Sequence, residues 1–288
     1  MADGCAARQP AHHIVGGAPV TSTSDRRQRS GPGSFDHVDV NETTAFLAVL
    51  ARRAPGGRTA CHGWLVRDLV AHLAAGAQEE ADLVEAALRG DPTRPTRPFA
   101  EREAAYRAMA YPRMLVALAR QARQLGTAID ALARVGGTVE FTGVRMTARD
   151  LRVHGRSELA IHRWDLVGDD AAGRRLLAQP ALTAHAVNVL TAMTSLQESV
   201  AARAARLAGV PDGFTFRLRS PDRDDVLVRL SPAPVLESRA PGDGVPVVRS
   251  SAAHRLLMLW GRRPPGHRVD MSGVPASVLP VVEAFLRV

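Results

Sequence analysis

The 288-residue chain contains no lysine; all 37 of its basic side chains are arginine. That absence excludes a P-loop lysine, an internal aldimine and any Schiff-base mechanism. Cysteine occurs twice, at Cys5 and Cys61. Two cysteines exclude a four-cysteine zinc site and make a disulfide framework unexpected, so a bound metal has to be held by His, Asp and Glu. Neither GxGxxG nor GxSxG occurs. Aromatic residues make up only 4% of the chain, and the arginines are spread along it. A net charge of +8 and a pI near 11.0 therefore read as an arginine-coated surface that favours small anions, with no nucleic-acid partner expected. Apolar runs are short and interrupted by Arg, His or Glu, and the first residues lack a basic stretch followed by an apolar one. No membrane segment and no signal peptide are expected, and the expected location is cytoplasmic.

What is present is helical periodicity followed by strand alternation. Residues 1–36 are rich in Gly, Ser, Pro, Thr and Arg without apolar periodicity and are expected to form a disordered tail. Asn41 can cap a helix through NETTAFLAVL, and a long helix is predicted from Trp64 to Leu88, a shorter one from Phe99 to about Ala110, and another from Pro112. GGTVEFTGVRM is predicted to be a turn with a short extended piece, Thr147 the N-cap of the next helix, and Pro180 to Leu207 a further helix. After Gly209, FTFRLRS, DVLVRLS and PVLESRA alternate at period two and are predicted to be antiparallel strands, with a strand running into a helix, a last strand and a closing helix behind them. The expected fold is α plus a small α+β part: an antiparallel helical bundle domain over 37–208 and a small C-terminal α/β domain over 209–288.

The segment HGRSELAIHRWDL places His154, Glu158 and His162 at four-residue intervals. On a helix, neighbours four apart are about 6 Å apart along the axis, and His154 and His162 about 12 Å. With metal–ligand bonds of about 2 Å, Glu158 and His162 can share one ion but all three cannot. His154 is left as a nearby outer-shell or substrate group, and a third ligand must come from another helix. His72, with Leu69 and Leu73 beside it, is the other histidine on an apolar helix face. Asp68, one turn earlier, either orients its ring or simply favours the helix dipole. Projection places Leu151, His154, Glu158, Ile161, His162 and Asp165 on one side, with Arg152, Arg156 and Arg163 opposite. Cys61, Trp64 and Trp260 read as packing residues.

CHGWLVRDLVAHL resembles the CPGWTVRDLVAHL-type opening of the mycothiol-dependent maleylpyruvate isomerase family, within the wider DinB-like superfamily. RSELAIHRWDL resembles that family's RxxExxxHxWDL segment, and VVRSSAAHRLLMLWGRRP its C-terminal part, where a helix ends in Gly-Arg. The resemblance covers about residues 38–288. It implies zinc, or another divalent metal, on His72, Glu158 and His162, in a DinB-like four-helix bundle followed by a sterol-carrier-protein-like α/β domain. It also implies mycothiol as thiol cosubstrate, which is found in actinobacteria and agrees with the lysine-free, arginine-rich composition. Leu65 departs from the usual Ser or Thr and His62 from a common Pro.

The expected function is thiol addition to an electrophilic double bond of a small acid, giving cis–trans isomerisation. His154 or Asp165 would move a proton, and Arg262, with Arg263, would hold a substrate carboxylate. An S-transferase on the same site and a non-catalytic metal- or anion-binding bundle are the alternatives, each as a monomer or homodimer.

Overall fold

The computed structural model describes residues 41–192, 213–221, 223–230, 235–263 and 268–285. The expected N-terminal tail and the second half of the helix expected over 180–207 lie outside the described residues. Among the described residues no helix is long and apolar enough to cross a membrane.

The first part is mostly helical. Helix α1 (Glu42–Leu50) begins at Asn41, whose Oδ1 accepts the Thr44 N–H at 2.9 Å. Helices α2 (Val66–Arg89) and α4 (Tyr111–Val135) pack along one another, with α3 (Phe99–Arg107) against α2. Both long helices stop at a glycine in the left-handed region, Gly90 at φ 78° and Gly136 at φ 71°, where a side chain would be strained. Their shared core includes Val66, Leu69, Val70 and Met114, all fully buried. Each such aliphatic side chain contributes about 1.5–3 kcal/mol of burial.

The GGTVEFTGVRM segment is more ordered than its sequence suggests. It forms a hairpin of β1 (Thr138–Phe141) and β2 (Val144–Thr147), joined by Thr142 at φ 53° and Gly143 at φ 80°. Two successive positive φ values make the primed two-residue turn that matches strand twist. Val139, Phe141, Val144 and Met146 are buried against Leu83, Val84, Ile129 and Leu132. The hairpin then delivers the chain to α5 (Ala148–Val167). Thr147 Oγ1 accepts the Asp150 N–H at 3.2 Å, and Asp150 Oδ2 accepts the Thr147 N–H at 2.9 Å, a reciprocal cap.

After α5 come α6 (Ala171–Leu177), a single short helix that periodicity did not reveal, and α7 (Pro180–Ala192). The later part contains a five-stranded sheet of β3 (Phe214–Arg219), β4 (Asp225–Leu230), β5 (Val235–Arg239), β6 (Val247–Ser250) and β7 (Val269–Gly273), in the order β5-β4-β3-β6-β7. Helix α8 (Ala252–Leu259) follows β6, and α9 (Leu279–Phe285) follows β7. The three strands expected to be antiparallel, β3, β4 and β5, pair that way; β6, whose direction was not predicted, runs parallel to β3, Leu218 opposite Val248. Residues between β5 and β6 carry the chain across the sheet to the far side of β3. Alternation at period two identifies a strand but carries no information about its direction.

Helix α5 faces both parts. Ile161 and Trp164 join a core with Leu182 and Ala186 of α7, Phe216, Leu218, Val228 and Val248 of the sheet, and Leu256 and Leu257 of α8. This packing brings the chain just after α8, and with it Arg262, against the last turn of α5.

Candidate metal centre

His72 on α2 and Glu158 and His162 on α5 converge. Glu158 Oε2 lies 3.5 Å from His72 Nε2 and 3.4 Å from His162 Nε2, and one ligand atom from each of the three lies within 4.8 Å of the others. Two donors bound tetrahedrally to one zinc at about 2 Å would be about 3.3 Å apart, so these three side chains could hold one ion. The aromatic Trp64, expected to serve packing, flanks it: its ring is 5.0 Å from that of His72 and stacked on that of His162 at 6.3 Å.

Each histidine is held from behind by a carboxylate. His72 Nδ1–H donates to Glu103 Oε1 at 2.8 Å and His162 Nδ1–H to Asp165 Oδ2 at 2.8 Å. This leaves both Nε2 atoms aimed at Glu158, the outer-shell pattern typical of metal-ligating imidazoles. Burial alone would lower the pKa of His162, but Asp165, Cys61 and Glu158 outweigh it and hold it well above its ordinary value. Burial would raise Glu158, but hydrogen bonds from His162 and His72 hold it well below the carboxylate range. A proton on His162 thus supplies the positive charge that a metal would supply.

Asp165 is more than an orienting carboxylate for one ring. Arg262 Nε and Nη2 donate to its Oδ1 and Oδ2 at 3.1 and 2.8 Å, and Cys61 Sγ–H donates to Oδ2 at 3.1 Å. Burial would raise its pKa, but His162 and Arg262 hold it far below the usual value, which makes it a poor proton shuttle. Cys61, His162 and Asp165 also meet the spacing of a ligand group. There, however, the Arg262 guanidinium already neutralises the carboxylate, and Nδ1 of His162 is spent on it.

His72 and Glu158 line a chamber of about 500 Å³ whose walls come largely from α2, α3, α4 and α5. His154 lines it away from the triad, with Nδ1 at 3.0 Å from His185 Nε2 and Nε2 at 3.8 Å from Glu80 Oε1. Burial lowers the pKa of both histidines, that of His185 to about 4, so both are neutral at pH 7. Burial and the charge of Glu158 push Glu80 up to about 8. Arg102 completes this polar end.

Several expected roles shift. Asp68 does not touch His72: its Oδ2 accepts the Leu65 N–H at 2.9 Å, the half of a capping box that a leucine N-cap still permits, and its Oδ1 pairs with Arg107. Glu103, on the separate helix α3, takes the role expected of Asp68. No spacing within α2 could reveal it, because the pairing depends on how α3 packs. Arg262 pairs with Asp165, and Arg263 is exposed. Cys61 belongs to the polar cluster, not to an apolar one. Arg163, projected onto the outer face, is buried and pairs with Asp170. Glu80, Arg102 and His185 drew no attention in the sequence because each sits singly on its own helix.

Residues 39–167 match the family model described as the mycothiol maleylpyruvate isomerase N-terminal domain. No curated protein matches the chain. Two solved structures share its fold. One is a mycothiol-dependent maleylpyruvate isomerase, with 19% identity and a TM-score of 0.53. The other is a histidine-to-alanine mutant of a protein of that name, with 18% identity and a TM-score of 0.54. Each match covers 82% of this chain and 90% of the solved one. The matched stretch, residues 39–167, holds His72, Glu103, Glu158 and His162, so over this part the chain is similar to mycothiol maleylpyruvate isomerase N-terminal domains.

Proposed function

We propose that this chain is a metal-dependent, thiol-dependent isomerase of a small unsaturated acid, with zinc or another divalent ion on His72, Glu158 and His162 and mycothiol as its thiol. The observation that carries the reading is the convergence of two Nε2 atoms and one carboxylate oxygen at ligand spacing, with His72 and Glu158 on the wall of a chamber. Helices α1, α2, α4 and α5 are read as a DinB-like four-helix bundle within a domain over 37–208. Residues 209–288 are read as a sterol-carrier-protein-like domain, and the protein as cytoplasmic.

Two histidines and one carboxylate leave a coordination position open, and a metal bound there would acidify a thiol so that thiolate is available at neutral pH. The chain's own residues do the rest. Glu103 and Asp165 fix the two rings, and His162 must release its proton for its Nε2 to serve as a ligand, so metal affinity rises with pH. The thiol adds across the conjugated double bond, the resulting single bond rotates, and expulsion of the thiol restores the double bond with inverted geometry. The addition delivers one proton to carbon and the expulsion removes one. His154, neutral and facing the chamber with His185 behind it, is placed to carry that proton.

The test measures metal content and mycothiol-dependent turnover of maleylpyruvate on the same preparations. Wild type is expected to hold one divalent ion per chain. His162→Ala and Glu158→Ala should lose metal and activity together. His154→Ala should keep its metal and lose about 10²–10⁴ in rate. Equal metal content in wild type and His162→Ala would refute the site. Thiol retained on the product, with no geometric isomer formed, would identify an S-transferase instead.

A further inference from the structure

The polar end of the chamber contains a cation without a partner. Arg102 is 8% exposed, and its Nε and Nη1 are buried with no hydrogen-bond acceptor. Among the described residues no carboxylate lies within ion-pair distance of it. Its guanidinium carbon stands over the Phe99 ring, 4.4 Å from the centroid. The other arginines that line the chamber are satisfied: Arg152 pairs with Asp130 at 2.6 Å and Arg156 with Glu42 at 2.9 Å. Burying an unpaired guanidinium is strongly unfavourable. Opposite charges at Glu103, Glu79 and Glu158 favour it from a distance but satisfy none of its donors.

The space beside it is kept open by three helices at once. Gly76 of α2, Gly126 of α4 and Gly155 of α5 all line the chamber, and a Cβ built at any of them meets nothing within 4 Å. Unmatched donors, an open volume and a reactive wall therefore lie in one enclosure. Glu80 Oε2, also without a partner, adds a second group able to bond a guest.

We infer that Arg102 is the anion-recognition residue of this chamber, pairing with a carboxylate of the molecule whose reacting end lies at His72, Glu158 and His162. A planar guanidinium held against a ring presents two N–H groups side by side, the fork that matches a carboxylate. The chamber then selects acids and rejects esters of the same shape. This deepens the proposed function and rests on it only for what happens at the reacting end.

The test is calorimetric titration of succinate, an acid inert to thiols, and of dimethyl succinate into the full chain as purified. Wild type, Arg102→Met and Arg102→Lys are compared, with metal content and melting temperature recorded for each. Wild type should bind succinate and not the diester. Arg102→Met should weaken succinate by roughly 10- to 100-fold, and Arg102→Lys should recover part of the loss, at unchanged metal content. Without ligand, Arg102→Met should melt no lower than wild type, because it removes an unpaired buried charge; succinate should raise the melting temperature of wild type most, of Arg102→Lys less and of Arg102→Met least. Equal succinate affinity in wild type and Arg102→Met, equal affinity for the diester, no succinate binding by wild type at millimolar concentration, or a lower melting temperature of unliganded Arg102→Met would each overturn the inference. Succinate binding that follows Arg102 in a protein lacking metal or thiol-dependent turnover would instead refute the proposed function and leave this inference standing.

Discussion

At the scale of single residues, Glu80 shows how burial sets a charge state. Its carboxyl, pushed up to about 8 from an ordinary 4.5 by burial and by the charge of Glu158, is protonated in the folded protein at pH 7. The unfolded chain has released that proton by then, so folding takes it up, and stability contributed by this group falls as pH rises from about 4.5 to about 8. Glu80→Gln replaces a neutral acid with a neutral amide of the same shape. Urea denaturation across that window should show a flatter pH dependence than wild type, with stability within about 1 kcal/mol of wild type near pH 4 and above it at pH 7. A steeper curve would mean the carboxyl is ionised when folded. The proposed ligands Glu158 and His162 were visible as residue types, at helical intervals with His154, and elementary distances exclude all three sharing one ion. Their partners Glu103 and His185 were not visible, since each lies 31 positions from the histidine it holds and no local pattern spans such a gap.

At the scale of elements, glycine placement separates stability from function. Gly76 sits inside α2, where glycine is about 0.5–1 kcal/mol less favourable than alanine. A Cβ there would meet nothing within 4 Å. Gly76→Ala should therefore raise stability by roughly 0.5–1 kcal/mol while narrowing the chamber and weakening succinate binding, read by thermal melting and by titration. A variant both less stable and unimpaired in binding would contradict this account of the open wall. Helix α5 was legible from its Thr147 cap and its apolar stripe, and α2 from its Leu and Val repeat. The β1–β2 hairpin was only half legible, because its Thr142-Gly143 turn is not one of the strong Asn-Gly or Asp-Gly signals. Helix α6, seven residues long, is too short for a period of 3.6 to register.

At the scale of the whole molecule, the matched family segment does not complete its own site. Arg262 lies beyond it, after α8, yet its two bonds to Asp165 hold the carboxylate that orients His162. The core shared by α5, α7, α8 and the sheet keeps that arginine in place. Arg262→Gln leaves Asp165 buried without its cation, a loss of about 3–5 kcal/mol for a broken buried pair. Melting should fall accordingly, and metal retention should drop by about 10–100-fold, as for loss of an outer-shell partner. Unchanged metal affinity in this variant, measured against a competing chelator, would show that the link between the two parts is structural only.

From the sequence alone came the classes of chemistry that lysine-poor, cysteine-poor composition forbids, the helical and strand segments, and the pairing of Glu158 with His162. These follow from residue type and from periodicities that act over one or two turns. Tertiary structure alone decided which carboxylate stands behind each histidine, that Arg262 pairs with Asp165, that Arg102 is buried without a partner, and that β6 runs parallel to β3. Each of these depends on where separately coded elements come to rest against one another, and packing is set by the whole core rather than by any stretch of chain.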